Sequence, residues 1–103
     1  MIAVGTGAVL APVVSATMYG LPASDRVAHA FVRATGVRDV VLGAIVLASL
    51  GEARALRRAL GWSSVIAIAD AVILAAARGP RPSHGAHLAG GAALILAALT
   101  IEP

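Results

Sequence analysis

The sequence predicts an all-α integral membrane protein, an up-and-down bundle of four transmembrane helices in one domain over residues 1–103. Of the 103 residues, 59% are hydrophobic and only 13% are charged, and the mean hydropathy is +0.91. Soluble proteins usually have about a quarter charged residues, and a soluble chain this short has too little interior to bury so much apolar surface. Four apolar segments joined by short connections complete the pattern of an antiparallel bundle.

The first helix is predicted over residues 2–19, a segment that contains no charge. This segment is long enough to cross a hydrocarbon core of ~30 Å. Pro12 is expected to kink the helix, and Gly20-Leu21-Pro22 is expected to end it. A secretory signal peptide with a cleavage site at Val14-Ser15-Ala16 is the alternative, but no positive residue precedes the apolar run, as a signal peptide normally requires. A retained helix is therefore favoured.

The second helix is predicted over residues 25–50, with Ser24 as its N-cap and Asp25 in its first turn. Gly51 is expected to close it. The next segment, residues 52–58, contains three arginines. It is expected to form a short basic connector, or else an extra helical turn at the membrane surface.

The third helix is predicted over residues 60–77, with Trp62 at its start, where interfacial tryptophans are favoured, and Asp70 just past its middle. A glycine- and proline-rich break over residues 78–83 separates it from a fourth helix over residues 84–101, which opens with two histidines. The arginines are balanced between the two predicted sides of the membrane. The positive-inside rule therefore does not orient the chain.

The composition excludes several classes of function. All eight basic residues are arginine, the formal net charge is +3, and cysteine is absent. Without cysteine there are no disulfides, thiolate metal sites or thiol nucleophiles. The arginines are scattered between apolar runs and only 3% of residues are aromatic, so no nucleic-acid surface is expected. The spacing around His84 and His87 matches no known metal-ligand pattern, and neither a metal nor a cofactor is expected.

Two aspartates within the apolar segments are the strongest candidates for a functional site. A charge near the bilayer centre costs roughly 2.5–3.5 kcal/mol, so Asp39 and Asp70 are expected to bind a ligand or handle a proton, or else to be structural. At about 100° per residue, Asp39 shares a helix face with His29 and Gly36, whereas Arg38 points to the opposite side. Arg38 and Asp39 are therefore not expected to pair, and Asp39 is expected to meet Asp70 across two helices.

The other candidate residues lie on the same helix faces or at their edges. Ser63 shares a face with Asp70, and His87 aligns with Gly90 and Gly91 on the fourth helix. The candidate catalytic residues are Asp39, Asp70, Arg38 and His87. The candidate ligand-binding residues are His29, Arg33, Gly36, Ser63 and Trp62. Four glycines are expected to permit close packing of helices: Gly36, Gly43, Gly90 and Gly91.

The order of these features resembles a known family. A charge-free first helix is followed by Tyr19-Gly20-Leu21-Pro22, by a block over residues 34–43 that contains Arg38-Asp39, by Ala69-Asp70-Ala71, and by a histidine before a Gly-Gly helix. This order resembles the small four-helix membrane proteins grouped as a domain of unknown function (family 4267), DoxX-like in style, over nearly the whole chain. The resemblance implies that Arg38, Asp39, Asp70 and His87 are the signature residues, and it implies no activity.

The leading functional prediction is a small integral membrane protein of the bacterial inner membrane, with a polar pocket at Asp39 and Asp70 that binds a lipophilic small molecule. Its partners are then the lipid bilayer and that molecule, and a homodimer is left open. One alternative is a cofactor-free membrane isomerase, cyclase or epoxide-opening enzyme that uses the two aspartates as general acid and base. A second alternative is a structural accessory subunit of a larger membrane complex.

Overall fold

The computed structural model describes residues 1–22, 24–77 and 79–102, and these form five α-helices. The helices are α1 (Ile2–Leu10), α2 (Pro12–Met18), α3 (Arg26–Ala48), α4 (Ala53–Ala76) and α5 (Arg81–Thr100). The chain divides into two compact units, Met1–Ala44 and Ile45–Pro103. The first unit holds α1, α2 and most of α3, and the second holds α4 and α5. The predicted all-α class is confirmed.

The prediction of four membrane-spanning helices is not confirmed. Among the described residues, α4 is the one helix that is long and apolar enough to cross a membrane. The other helices depart from a simple span for reasons that are visible in their sequences. α1 and α2 have only nine and seven residues, α3 carries three charged side chains within its apolar stretch (Arg33, Arg38 and Asp39), and α5 has an arginine and two histidines in its first two turns.

The predicted first helix is two helices, because Pro12 breaks it rather than bending it. Ala11 has φ −128° and ψ 63°, outside the helical region, and Pro12 is the first residue of α2. A residue before proline is pushed away from helical geometry by the ring, whereas proline itself is well suited to the first turn of a helix. Helical hydrogen bonds reach Ala11 from both sides of the break, since its N–H donates to the Gly7 carbonyl at 2.8 Å and its carbonyl accepts from the Ser15 N–H at 3.0 Å.

The end of α2 is a Schellman turn at the predicted position. The Leu21 N–H donates to the Ala16 carbonyl at 2.8 Å, and the Gly20 N–H donates to the Thr17 carbonyl at 2.9 Å. Gly20 has φ 72°, the left-handed conformation that this turn requires and that glycine adopts without steric cost. Leu21 then packs on the buried cluster of the first unit, which includes Ala16.

The cap of α3 differs from the prediction by one residue. The helix begins at Arg26, and the Asp25 carboxylate accepts a hydrogen bond from the Val27 N–H at 2.9 Å. Asp25 therefore occupies the capping position that was predicted for Ser24. Both residue types cap helices well, so the side-chain identity alone does not decide between neighbouring positions.

Of the two alternatives predicted for the basic segment, the helical one is confirmed, because residues 53–58 are helical, but they continue into α4 rather than forming a separate turn. The segment over residues 53–60 consists only of alanine, arginine and leucine, which are the residues with the highest helix propensity. Similarly, α5 begins at Arg81, three residues earlier than predicted. Pro82 is accepted in the first turn, where its missing N–H leaves no intrahelical bond unmade, and the Ser83 N–H donates to the Pro80 carbonyl at 3.0 Å.

The first unit is held together by a close crossing of α1 and α3 at two glycines. A Cβ atom added to Gly5 would lie 2.6 Å from the Gly36 carbonyl oxygen, and one added to Gly36 would lie 2.6 Å from the Gly5 carbonyl oxygen. Gly43 is in similar contact with Ile2. The close-packing role predicted for Gly36 and Gly43 is confirmed. Beside this crossing, three apolar residues from three helices form the buried cluster: Ala8, Ala16 and Val32.

The second unit is an antiparallel hairpin of α4 and α5. The buried Ser64 hydroxyl donates to the Gly91 carbonyl at 3.1 Å and so joins the two helices. Gly91 packs on Ile68, where a Cβ atom would lie 3.0 Å from the isoleucine side chain, so its predicted packing role is confirmed. Gly90 takes no part in this packing, since among the described residues nothing lies within 4 Å of a Cβ at that position. One residue along a helix rotates the side chain by about 100°, which turns Gly90 away from the seam.

Candidate functional site

Asp70 of α4 and His87 of α5 face each other across the hairpin. The His87 Nδ1 atom lies 3.7 Å from the Asp70 Oδ2 atom, and the two side chains are only 15% and 22% exposed. Asp70 follows Ser64 on α4, and His87 precedes Gly91 on α5. Because the two helices are antiparallel and Ser64 contacts Gly91, Asp70 and His87 lie opposite each other. The hairpin therefore places a carboxylate and an imidazole together within apolar helices.

Small polar side chains are also buried on both helices of the hairpin. Ser63, Ser64 and Ser83 are all buried, at 3%, 1% and 2% exposure. The Ser63 hydroxyl donates to the Ala59 carbonyl at 2.8 Å, one turn earlier in its own helix. Sequence reasoning found Ser63 but not Ser64 or Ser83, and the position of Ser83 one helical turn before His87 was the available signal. The role of Ser63 in binding a ligand stays a prediction.

Arg38 and Asp39 pair directly in the first unit, contrary to the prediction. The Arg38 Nη2 atom donates to the Asp39 Oδ1 atom at 3.2 Å, and the side chains are 32% and 21% exposed. The prediction considered only the directions of the two Cα–Cβ bonds, which do diverge on a helix. The arginine side chain is long enough to turn back along the helix surface, and an unpaired charge among apolar residues is costly, so the guanidinium reaches its neighbour.

Tyr19 is a member of this site that sequence reasoning did not identify as functional. Its half-buried phenol lies within electrostatic range of both Asp39 and Arg38. The Schellman turn at Gly20 fixes the backbone directly after Tyr19 and so helps to hold it near α3. Tyr19 is the one tyrosine in the chain, which was the available signal. The first unit thus contains a phenol, a guanidinium and a carboxylate near one another.

The remaining candidate ligand-binding residues lie in different surroundings. His29 is half-buried on α3, whereas Arg33 on the same helix is exposed. Gly36 is buried against Gly5, and Trp62 on α4 is 68% exposed. The structure thus brings neither Arg33 nor Trp62 into a buried site within its own unit. The assignment of these four residues to a ligand stays a prediction.

An apolar cleft lies beside the α1–α3 crossing in the first unit. Its volume is about 260 Å³. It is lined by Thr6, Val9 and Leu10 of α1 and by Val37, Val40 and Val41 of α3. The three valines flank the Arg38–Asp39 pair in sequence but face another side of α3. The cleft suits an apolar group and offers it a single hydroxyl.

Each of the two predicted aspartates therefore has a basic residue beside it in its own unit. A carboxylate with an imidazole or a guanidinium can accept and donate hydrogen bonds at one place, which suits a polar group on a ligand. The predicted meeting of Asp39 with Asp70 joins the two units and stays a prediction. Within the described residues, no group of three or more histidine, aspartate or glutamate side chains could hold a metal ion.

These features define a small all-α protein with carboxylate–base pairs on apolar helices. The chain belongs to the family described as a domain of unknown function, DUF4267, whose model matches residues 1–101. No curated protein and no solved structure matches the chain. Family membership was predicted from the sequence and is confirmed, whereas the DoxX-like style stays a prediction.

Proposed function

We propose that the chain is a small integral membrane protein that binds a lipophilic small molecule at a carboxylate–base pair within its apolar helices. The observation that carries this proposal is the contact of Asp70 with His87 at 3.7 Å, because Asp70 lies in the one described helix that qualifies as a membrane span. Ionisable residues within a membrane are costly and usually serve a function. The finer arrangement, four spans in an up-and-down bundle of the bacterial inner membrane, belongs to this proposal.

The surface of the helices supports a location in lipid. Each of the five described helices exposes large apolar side chains, with Leu10 and Met18 both 77% exposed and Leu99 66% exposed. Soluble monomers rarely expose contiguous apolar patches of more than a few hundred Å². In a bilayer the same surface faces hydrocarbon and carries no such cost. α1 and α2 together cover the length of the predicted first span.

The chemistry of the pair indicates the kind of ligand. An imidazole offers a donor and an acceptor, and a carboxylate adds two acceptor oxygens. A mostly apolar molecule with one hydroxyl, carbonyl or amino group would satisfy this pair while its remainder stays in hydrocarbon. Ligand sites are typically of this composition, largely apolar with a few placed polar groups.

The proposal is tested by the molecules that copurify with the protein. The wild-type chain and the Asp70→Asn and His87→Gln variants are purified in the same mild detergent, and solvent extracts are compared by mass spectrometry. We expect a lipophilic molecule in the wild-type extract. Its amount should fall about tenfold or more in both variants, since each variant lacks one of the ionisable groups that would hydrogen-bond the molecule. Thr100→Val, at the end of α5, is the matched control. Identical extracts from all four proteins would contradict the proposal.

The same geometry favours an acid–base enzyme as the second candidate. The Asp70 carboxylate can stabilise the imidazolium that forms when His87 takes up a proton, as in known His–Asp arrangements. Isomerisation or cyclisation of the bound molecule would then move a proton between His87 and a carbon atom. Incubation of the copurified molecule with the protein in heavy water should give carbon-bound deuterium with the wild type and none with Asp70→Asn. Equal incorporation by both proteins, or none by either, would exclude this candidate.

A further inference from the structure

The outward face of α4 has an ordered composition that the proposed ligand site does not use. At about 100° per residue, eight exposed residues fall within about 100° of the helix circumference. We name them the α4 stripe: Arg54, Arg58, Trp62, Val65, Ala69, Val72, Ile73 and Ala76. Every member is exposed, and the buried residues of α4 lie on other faces.

Polarity falls steadily along the α4 stripe, from charged residues through an aromatic residue to apolar residues. Arg54 and Arg58 begin it, Trp62 follows one turn later at 68% exposure, and all later members are apolar. The distance from Trp62 to Ala76 is about 21 Å at the helical rise per residue, which is most of the ~30 Å of a bilayer's hydrocarbon core. Tryptophan is also the residue favoured at the boundary between headgroups and hydrocarbon.

The arginines at this end of α4 lie where the helix dipole disfavours cations, and one of them bonds to its own helix, since the Arg58 Nε–H donates to the Arg54 carbonyl at 3.4 Å. Arg54, Arg57 and Arg58 lie in its first two turns, where the helix dipole is positive and favours acidic side chains. The first turn contains no acid, and Glu52 is the N-cap residue, but its side chain makes no capping hydrogen bond. Cations in this position oppose the dipole, so an anionic partner would satisfy both the arginines and the helix end.

We propose that the start of α4 binds the anionic phospholipid headgroups of the bilayer, with Arg54, Arg57 and Arg58 on lipid phosphates and Trp62 at the headgroup boundary. The planar guanidinium matches phosphate with two parallel hydrogen bonds. Juxtamembrane basic clusters are attracted to anionic leaflets in this way. This inference rests on the membrane location in the proposed function and does not depend on the small-molecule site.

Trp62 makes the test specific, because it is the one tryptophan in the chain. The full chain is reconstituted into phosphatidylcholine vesicles that contain a minority of phosphatidylglycerol. In parallel samples either lipid is brominated near the headgroup end of its acyl chains. At equal mole fraction, brominated phosphatidylglycerol should quench Trp62 about twofold more than brominated phosphatidylcholine, since anionic lipid is enriched there. The triple variant R54Q/R57Q/R58Q should lose this preference, whereas R81Q, at the opposite end of the hairpin, should keep it.

The outcomes separate this inference from the proposed function. Equal quenching by the two brominated lipids in the wild type would overturn the headgroup site and leave the membrane location standing. Loss of the preference in R81Q to the same extent as in the triple variant would also overturn it, since a general charge effect would then suffice. The absence of quenching by either lipid would overturn both this inference and the membrane location.

Discussion

At the scale of single residues, the basic residue beside each aspartate determines what that aspartate can do. Arg38 carries a permanent charge, so its contact with Asp39 is a fixed ion pair. His87 can be neutral or protonated, so its contact with Asp70 can change its hydrogen-bonding pattern when a ligand or a proton arrives. This difference is the reason why the proposed ligand site is the second pair, whereas we propose a structural role for the first.

The fixed pair gives the first prediction. Replacement of Arg38 by glutamine leaves the partly buried Asp39 charge without its ion-pair partner, so we expect the free energy of unfolding to fall by about 1–2 kcal/mol. The double variant R38Q/D39N should be less destabilised than R38Q alone, because it removes both charges. Unfolding of the two variants in the same detergent checks this. Equal or greater destabilisation of the double variant would contradict a coupled pair.

The turn after α2 gives the second prediction. Gly20 holds φ 72° in the Schellman turn, and a Cβ atom in this conformation costs about 1–2 kcal/mol. Gly20→Ala should therefore lower the free energy of unfolding by that amount, which thermal unfolding in detergent measures. Gly51→Ala is the matched control, since no atom of the described residues lies within 4 Å of a Cβ at that exposed position. The left-handed turn would be in doubt if both variants melted together.

At the scale of helices, the crossing of α1 and α3 gives the third prediction. In Gly5→Ala the new Cβ would lie 2.6 Å from a backbone oxygen of α3, so the helices must separate, at a cost of about 1–3 kcal/mol. Gly7→Ala, two residues further along α1, meets nothing within 4 Å and should be neutral or stabilising. Thermal unfolding of the two variants compares them directly. A neutral Gly5→Ala would mean that the crossing is looser than described.

The helical class and most helix positions could be predicted from the sequence, because apolar runs and glycine or proline breaks are local signals. The errors also have local causes. Pro12 was expected to kink a helix, but its effect on Ala11 is strong enough to end one. The basic segment before Leu60 was read by its charge, whereas its helix propensity decided its structure. Propensity outweighs charge there because exposed arginines cost a helix little.

The site could be predicted in part, because helix geometry relates residues that are close together in the sequence. Asp70 and His87 were both selected, and their contact follows from an antiparallel hairpin. The Arg38–Asp39 contact could not be predicted from face directions, since it depends on how a long side chain bends. Tyr19 was also missed, because its proximity to α3 depends on packing between helices that a single sequence does not specify.

At the scale of the whole molecule, membrane location is the statement on which both proposals depend. The composition and the exposed apolar side chains favour lipid as the solvent, and α4 has the length and apolarity of a span. If α4 crosses the bilayer, its two ends lie on opposite sides, and Asp70 lies within the hydrocarbon region. The central claim is thus that the Asp70–His87 pair belongs to a membrane-spanning hairpin.

Single-cysteine accessibility tests this claim most directly, because the chain contains no cysteine of its own. Arg54→Cys, Val65→Cys, Val72→Cys and Arg81→Cys are each exposed to a membrane-impermeant maleimide, in intact cells and after permeabilisation. We predict that one of the two arginine positions reacts in intact cells and the other only after permeabilisation. We also predict that the two valine positions stay unreactive until detergent is added. Reaction of Val65→Cys and Val72→Cys as readily as Arg54→Cys in permeabilised cells would contradict the account.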